Sequence, residues 1–251
     1  MKQSTTNLHF LLMNTLIATL IWLASPSIQA SVNQATSTQN FPIQEYEAHY
    51  DIKYFGITAG ESVHRLHQRK DGIYHFESRT NPILKFLPYS YVESSDFIWE
   101  NGNIIPQNYF YDIQEGKRSK KGNVTFDWVA KVVANNVSPK PWHKPLPDNI
   151  QDKVTQVLRL RYDLIQGNTD LVYTVAEDDE IKPYAFRILG EEKIASAIGT
   201  FTAIKVEHVH RKGHRTNTWF AKELNYLPIK LNQIRKGRVV GTGEISALKH
   251  I

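Results

Sequence analysis

The sequence predicts an all-β dominated protein, a large curved antiparallel sheet (an unclosed barrel or β-spiral) wrapped around one α-helix. Three observations lead there. Short runs of alternating apolar and polar residues recur along the chain, turn residues separate them at short intervals, and a single segment carries helical periodicity instead. The formal charge of +5 is mild, so contact with anionic surfaces is favoured but nucleic acid is not demanded.

Residues 1–30 lie ahead of the fold. Lys2 gives a positive start, "FLLMNTLIATLIWLA" from Phe10 to Ala24 is apolar, and "SPSIQA" ends in small Ala30. This is the pattern of a secretory signal peptide cleaved after Ala30. A membrane anchor is the competing reading, against which stand the shortness of the apolar run relative to the ~20 residues of a spanning helix and the Pro26 that follows it. The chain has no cysteine. That excludes disulfides, a lipid-bearing cysteine after the leader and a thiol nucleophile. A soluble protein of the bacterial periplasm is the expectation. Ser31 to Asn40 is a polar linker, and residues 41–251 are expected to form one β-rich domain.

The first strand is "EYEAHYDIKYF", in which Tyr46, Ala48, Tyr50, Ile52 and Tyr54 take one face and charged residues the other. Gly56 and Gly60 separate it from "ESVHRLHQR", and Asp71-Gly72 turns into "IYHFESRT". Asn101-Gly102 joins "SDFIWE" to "NIIPQNYFYDI", and Gly122 leads into "NVTFDW". After Gly167 come "DLVYTVA", a turn at Asp178-Asp179, "KPYAFRILG", "FTAIKVEHVHR" and "TNTWFA". A last hairpin turns at Lys236-Gly237. About a dozen such strands make a sheet that must curl to hide its dry face. The exception is "PDNIQDKVTQVLRLRYDLIQG", with Asp148 as candidate N-cap and Gly167 as stop, which predicts a helix over about 148–166. At 100° per residue, Ile150, Val154, Val157 and Ile165 form one apolar stripe. Arg161 falls inside it.

Chemical candidates are few. His208 and His210 share a strand face, as two ligands of a metal site would, but no glutamate follows at a ligand's spacing and Arg211, Lys212 and Arg215 would oppose a cation. A polar strand end without metal is the expectation, and a metalloenzyme or hydrolase built on this pair is the alternative. The basic run Glu115 to Asn123 reads as a hairpin tip. Asp178-Asp179 and Glu191-Glu192 read as turn residues. No Gly-x-Ser-x-Gly elbow, His-Glu-x-x-His or phosphate loop is present, so no catalytic residue and no cofactor are assigned. "TNPILKFLPYSY", Thr80 to Tyr91, crowds Ile83, Leu84, Phe86 and Leu87 into a connection that ought to be polar. It either plugs the sheet or forms the lip of an apolar pocket.

The chain resembles the DUF3108 family of bacterial exported proteins of unknown function. The likeness rests on "YFGITAGE" in the opening strands, "VTFDW" at 124–128, "DKVTQVLRLR" at 152–161, "YAFRILGEEKI" with "IGTF" at 184–201, and "WFAKELNYLPIKL" at 219–231. Asp152 stands at the family's aspartate, Thr155 where a serine is usual, and Arg161 at its arginine. The resemblance implies a fold like that of periplasmic lipoprotein carriers and envelope-integrity proteins. The expected job is non-catalytic binding of a lipid-like amphipathic molecule or an envelope protein, with a filled, ligand-free interaction module as the alternative. Candidate ligand-binding residues are Arg161, Trp128, Tyr184, Trp219, Phe86 and Leu87. Asp127 and Asp152 are candidate structural polar residues and the suspected partners of Arg161, because a buried charge without a partner is costly.

Overall fold

The structure, a computed structural model, describes residues 40–83, 89–136 and 141–251. In chain order the strands are β1 (Tyr46–Tyr54), β2 (Ile57–Gln68), β3 (Tyr74–Pro82), β4 (Tyr89–Glu100), β5 (Asn103–Glu115), β6 (Arg118–Asp127), β7 (Val132–Asn135), β8 (Trp142–Pro145) and β9 (Gln151–Asp152). Helix α1 (Thr155–Ile165) follows, then β10 (Leu171–Ala176), β11 (Ile181–Ser196), β12 (Gly199–Arg211), β13 (His214–Ala221), β14 (Leu227–Arg235) and β15 (Arg238–His250). All 15 strands belong to one sheet, ordered β8-β7-β6-β5-β4-β3-β2-β1-β15-β14-β13-β12-β11-β10-β9. Every pairing is antiparallel except β9 with β10. Phe55-Gly56, Asn101-Gly102 and Lys236-Gly237 have both central residues at positive φ, the type I′ shape whose twist suits a two-residue hairpin.

The alternation read from the sequence fixes the inward face. Tyr46, Leu66, Phe76, Ser95, Tyr109, Val124 and Asn135 are successive cross-strand neighbours from β1 to β7, and all are buried. Phe41, where the fold was expected to begin, packs on Tyr74, Phe97 and Trp99 at ring separations of 5.1–5.5 Å. The inner face of the other half, with Tyr173, Val206 and Phe220, packs on Leu160 and Leu164 of α1. Leu158 packs into the first half's core. The helix is therefore wrapped by both arms of the sheet.

Three local expectations are corrected or narrowed. The helix begins at Thr155, not near Asp148, because Asn149 is left-handed (φ 55°) and Gln151–Asp152 is extended against β10. The cap is Asp152, whose Oδ1 accepts from the N–H groups of Val154 and Thr155 at 2.8 Å, while Thr155 Oγ1 accepts from Asp152 N at 3.0 Å. Gly167, the expected stop, does end it: Gly167 N bonds Leu164 O and Asn168 N bonds Asp163 O, a Schellman closure. The basic run does contain a hairpin tip, at Gly116-Lys117, but the tip is short, since Arg118, Lys120 and Lys121 already belong to β6. Glu191-Glu192 is not a turn but lies within the 16-residue β11, where Trp219 Nε1 and Lys222 Nζ donate to the two carboxylates.

The two ends of the sheet share no backbone ladder, so the barrel is unclosed. Side chains close it instead. On one side of the gap, Asn135 Nδ2 and Trp142 Nε1 donate to Asp178 O at 2.7 and 3.1 Å, and Lys120 Nζ meets Asp178 Oδ2 at 2.5 Å. Toward β9, Gln151 Nε2 donates to Ile104 O at 3.0 Å, Ser95 Oγ to Asp152 Oδ2 at 2.6 Å, and Lys153 Nζ to Glu93 Oε1 at 2.8 Å. Tyr109 OH also donates to Glu93.

Gly122 makes room for this seam. A Cβ at that position would lie 2.2 Å from the hydroxyl of Tyr111, a buried side chain that accepts from Asn135 Nδ2 at 2.8 Å. Gly122→Ala should therefore displace Tyr111 and cost ~1–3 kcal/mol by urea denaturation. A loss below about 0.5 kcal/mol, the level of an ordinary surface change, would show that Tyr111 does not cross this glycine.

Candidate functional site

The capped helix carries Arg161 into the interior, where it is only 2% exposed. The inward direction read from the helical stripe is correct, but the partner is not a carboxylate. The guanidinium lies over the Tyr46 ring, 5.1 Å from its centroid. Its Nη2 and Nε donate to the backbone oxygen of Asn225 at 3.1 and 3.4 Å. Nη1 is buried without any hydrogen-bond partner. Asn225 and Tyr226 are both left-handed (φ 49° and 53°), a turn that aims the Asn225 carbonyl back at the helix and that asparagine tolerates well. Burial lowers the pKa of Arg161, the direction expected of a cation short of counter-charge, and the only groups working against it are Tyr46 and Tyr50.

Beside Arg161 is a cleft of about 160 Å³. Gln44, Tyr46 and Asn225 contribute polar edges, while Leu224, Leu227 and Leu248 make an apolar wall. Glu223 also reaches the cleft, but both its carboxylate oxygens accept from Thr202 N, at 3.0 and 3.2 Å. The site thus combines an under-satisfied buried cation with an apolar wall. Such a pair can hold an anionic group attached to a hydrocarbon.

The two suspected partners of Arg161 have other duties. Asp152 is wholly buried as the helix cap and Ser95 acceptor, and burial pushes its pKa up to about 6. Asp127 is exposed and accepts from Val129 N and Ala130 N, an Asx-type turn between β6 and β7. Neither helical arithmetic nor charge pairing could name Tyr46 or Asn225. An aromatic face and a main-chain carbonyl leave no charge signature in the sequence.

The other candidates are scattered. Trp128 donates to Pro106 O at 2.7 Å under Lys131. Tyr184 donates to Glu177 and lies 4.6 Å from the His208 ring. Trp219 is buried beneath Lys205 and Lys230. None of the three lines the Arg161 cleft. Phe86 and Leu87 lie outside the described residues, although Ile83 and Tyr89, which flank them, are 57% and 36% exposed.

His208 and His210 do share a face, with their rings edge to face at 4.3 Å. His208 Nδ1 is bonded to Ala185 O at 3.0 Å and His210 Nε2 to Thr216 Oγ1 at 2.8 Å. Burial lowers the pKa of both, His210 to about 4. Glu207 faces away, bound to Arg187 and Arg215. Glu177, Asp178 and Asp179 converge in the β10–β11 turn, where Lys182 and Lys120 hold the first two. A larger groove, about 720 Å³, runs past Asn103, Arg159 and Asp170. Its buried Asp163 is saturated by Arg159, Asn168 and Tyr173.

The raised pKa of Asp152 gives a signed prediction. Folded Asp152 holds a proton to about pH 6, whereas its ordinary value is 3.8, so its contribution to stability grows as pH falls through 6 and levels off below 4. Asp152→Asn keeps an acceptor for the cap without the buried charge. Relative to this variant, the parent should gain up to about 3 kcal/mol between pH 7 and pH 4. His64, which burial holds neutral down to about 4, titrates in both proteins and cancels in the difference. A parent–variant difference in unfolding free energy that does not change with pH would refute the assignment.

The fold is shared with a solved structure. A β-barrel-like protein of the DUF1849 domain family from Brucella abortus is 11% identical, with a TM-score of 0.55 over 83% of this chain and 98% of its own. A candidate lipoprotein from Parabacteroides distasonis is 10% identical and covers 82% and 95% of the two chains, at a TM-score of 0.39. No curated protein matches the sequence. A family profile described as "Protein of unknown function (DUF3108)" matches residues 45–242, from the first strand into the last. With that span containing the Asp152 cap and Arg161 alike, the chain belongs to the DUF3108 family.

Proposed function

We propose that this is a non-catalytic binding protein of the bacterial envelope, exported by the leader that ends at Ala30, and that it takes an amphipathic molecule whose anionic group docks on Arg161. The observation that carries this reading is the buried guanidinium with an unpartnered Nη1 and no carboxylate in contact among the described residues. A buried cation is tolerated in a fold when something supplies charge and hydrogen bonds. Here the protein supplies one main-chain carbonyl and the side chain of Tyr46, and Arg161 lines a cleft. Phosphate and carboxylate head groups match the forked donors of arginine, and the wall of Leu224, Leu227 and Leu248 suits the adjoining hydrocarbon. The leader sequence supports export. The barrel-like fold supports a carrier or scaffold.

Arg161→Met separates this role from a structural one. Since there is no ion pair to break, the ligand-free variant should unfold within about 1.5 kcal/mol of the parent or be more stable, the net change being the two bonds to the single Asn225 carbonyl against relief of a buried charge. Solvent extraction and mass analysis of the protein recovered after export should find an anionic amphiphile in the parent and not in the variant. A loss of ~3–5 kcal/mol in the variant, with nothing co-purifying in either protein, would make Arg161 structural and overturn the proposal.

A further inference from the structure

The end of the sheet away from Arg161 has a different chemistry. Because the neighbouring strands are antiparallel, the turns β1–β2, β5–β6, β12–β13 and β14–β15 all lie at one end of the sheet, together with the edges of the β3–β4 connection. Backbone bonds tie these tips together: Phe55 N to Val240 O at 2.9 Å, Ile83 N to Ala59 O at 3.1 Å and Lys236 N to Gly213 O at 2.8 Å. Asn225, which holds Arg161, is in the β13–β14 connection at the opposite end.

Seven of the eleven exposed large apolar side chains among the described residues sit on this rim: Tyr54, Phe55, Ile57, Ile83, Tyr89, Val209 and Val239. Phe55 and Ile57, at 62% and 74% exposure, are at its centre. On either side stand exposed cations. Lys117 and Arg118 lie beyond Tyr89, which pairs with Glu115, while Arg211, Lys212, Arg235, Lys236 and Arg238 lie on the other flank. Among the described residues none of these seven makes an ion pair. Of the carboxylates at the same end, Asp178 is held by Lys120 and Glu177 with Glu180 by Lys182, while exposed Asp179 and Glu115 leave the seven cations in excess. At the opposite end Arg69 is answered by Asp71 and Asp96 and Lys222 by Glu191, and cations without an ion pair among the described residues there, such as Lys70, Lys131 and Lys193, stand apart on the β2–β3 turn, the β6–β7 turn and β11.

We infer that this rim docks the protein on an anionic phospholipid surface, with Tyr54, Phe55 and Ile57 entering the interface and the flanking lysines and arginines over the head groups. Apolar hairpin tips ringed by unpaired cations match such a surface in both terms, hydrophobic and electrostatic. A folded acidic partner would match only the second. The inference is independent of the Arg161 reading, because it uses the other end of the molecule.

The test is vesicle co-sedimentation of the protein recovered after export, on phosphatidylcholine vesicles with and without phosphatidylglycerol. The parent should bind the anionic vesicles preferentially and release them as salt rises. Each cation at a charged bilayer contributes roughly fivefold in partitioning. Lys117→Glu with Lys212→Glu and Lys236→Glu should therefore lower binding by at least about tenfold. Phe55→Ser with Ile57→Ser should weaken it on both vesicle types. All five positions are exposed, so the thermal midpoints should stay at the parent's value. Absence of vesicle binding, equal binding to both compositions, or binding that survives both sets of substitutions in folded protein would overturn the inference.

Discussion

The structure depends on how a sheet is closed when its ends do not pair. Among the described residues fifteen strands curl around one helix, and the gap between β7–β8 and β9–β10 is bridged by side chains from residues far apart in the chain. Asp152 is the member that does most. It caps the helix, accepts from Ser95 on β4 and sits in the only parallel strand pair among the described residues, so helix start, seam and sheet edge share one carboxylate. Holding that carboxylate in the interior costs free energy, visible as its raised pKa, which the cap and seam bonds offset in part. From this cap the helix runs with the phase that brings Arg161 beneath Tyr46.

Much of the fold was legible because each strand has one dry face. Alternation in "EYEAHYDIKYF" and its successors identified both the strands and the buried side, and the Asn-Gly and Lys-Gly pairs placed the hairpins where their backbone shape requires. The helix start was misread because Pro147-Asp148 has the composition of a cap. Asp152 and Thr155 have it too, and tertiary pairing with β10 decided between them. Length was misjudged at β11, which runs through Gly190 with a shifted register where the composition suggested an ending.

The site was legible only in part, and for a different reason. Although Ile150 and Val154, two of the four residues that defined the stripe, precede the helix, Arg161 is buried as the stripe suggested. What meets it comes from β1 and from a turn 64 residues later, through a ring face and a main-chain carbonyl. Charge pairing suggested aspartates, but local needs had already claimed both: one caps the helix and the other shapes a turn. The described aromatic candidates lie apart from the Arg161 cleft. Trp128, Tyr184 and Trp219 each anchor a separate stretch of sheet through a polar tip, which is the ordinary use of a large amphipathic side chain in a curved β protein.

The side-chain seam has a mechanical corollary. β4 and β5 are zipped over twelve residue positions, and separating them would break a continuous ladder. Separating the two ends of the sheet breaks no ladder, only a handful of side-chain bonds, each worth about 1 kcal/mol net, and two lysine–carboxylate contacts. The barrel wall therefore has a built-in line of weakness along its length. Sideways parting there leaves every strand pair intact, and amides near the line exchange by local opening well before the rest of the sheet unfolds. A long hydrocarbon could pass such a slit from the flank without being threaded through either end.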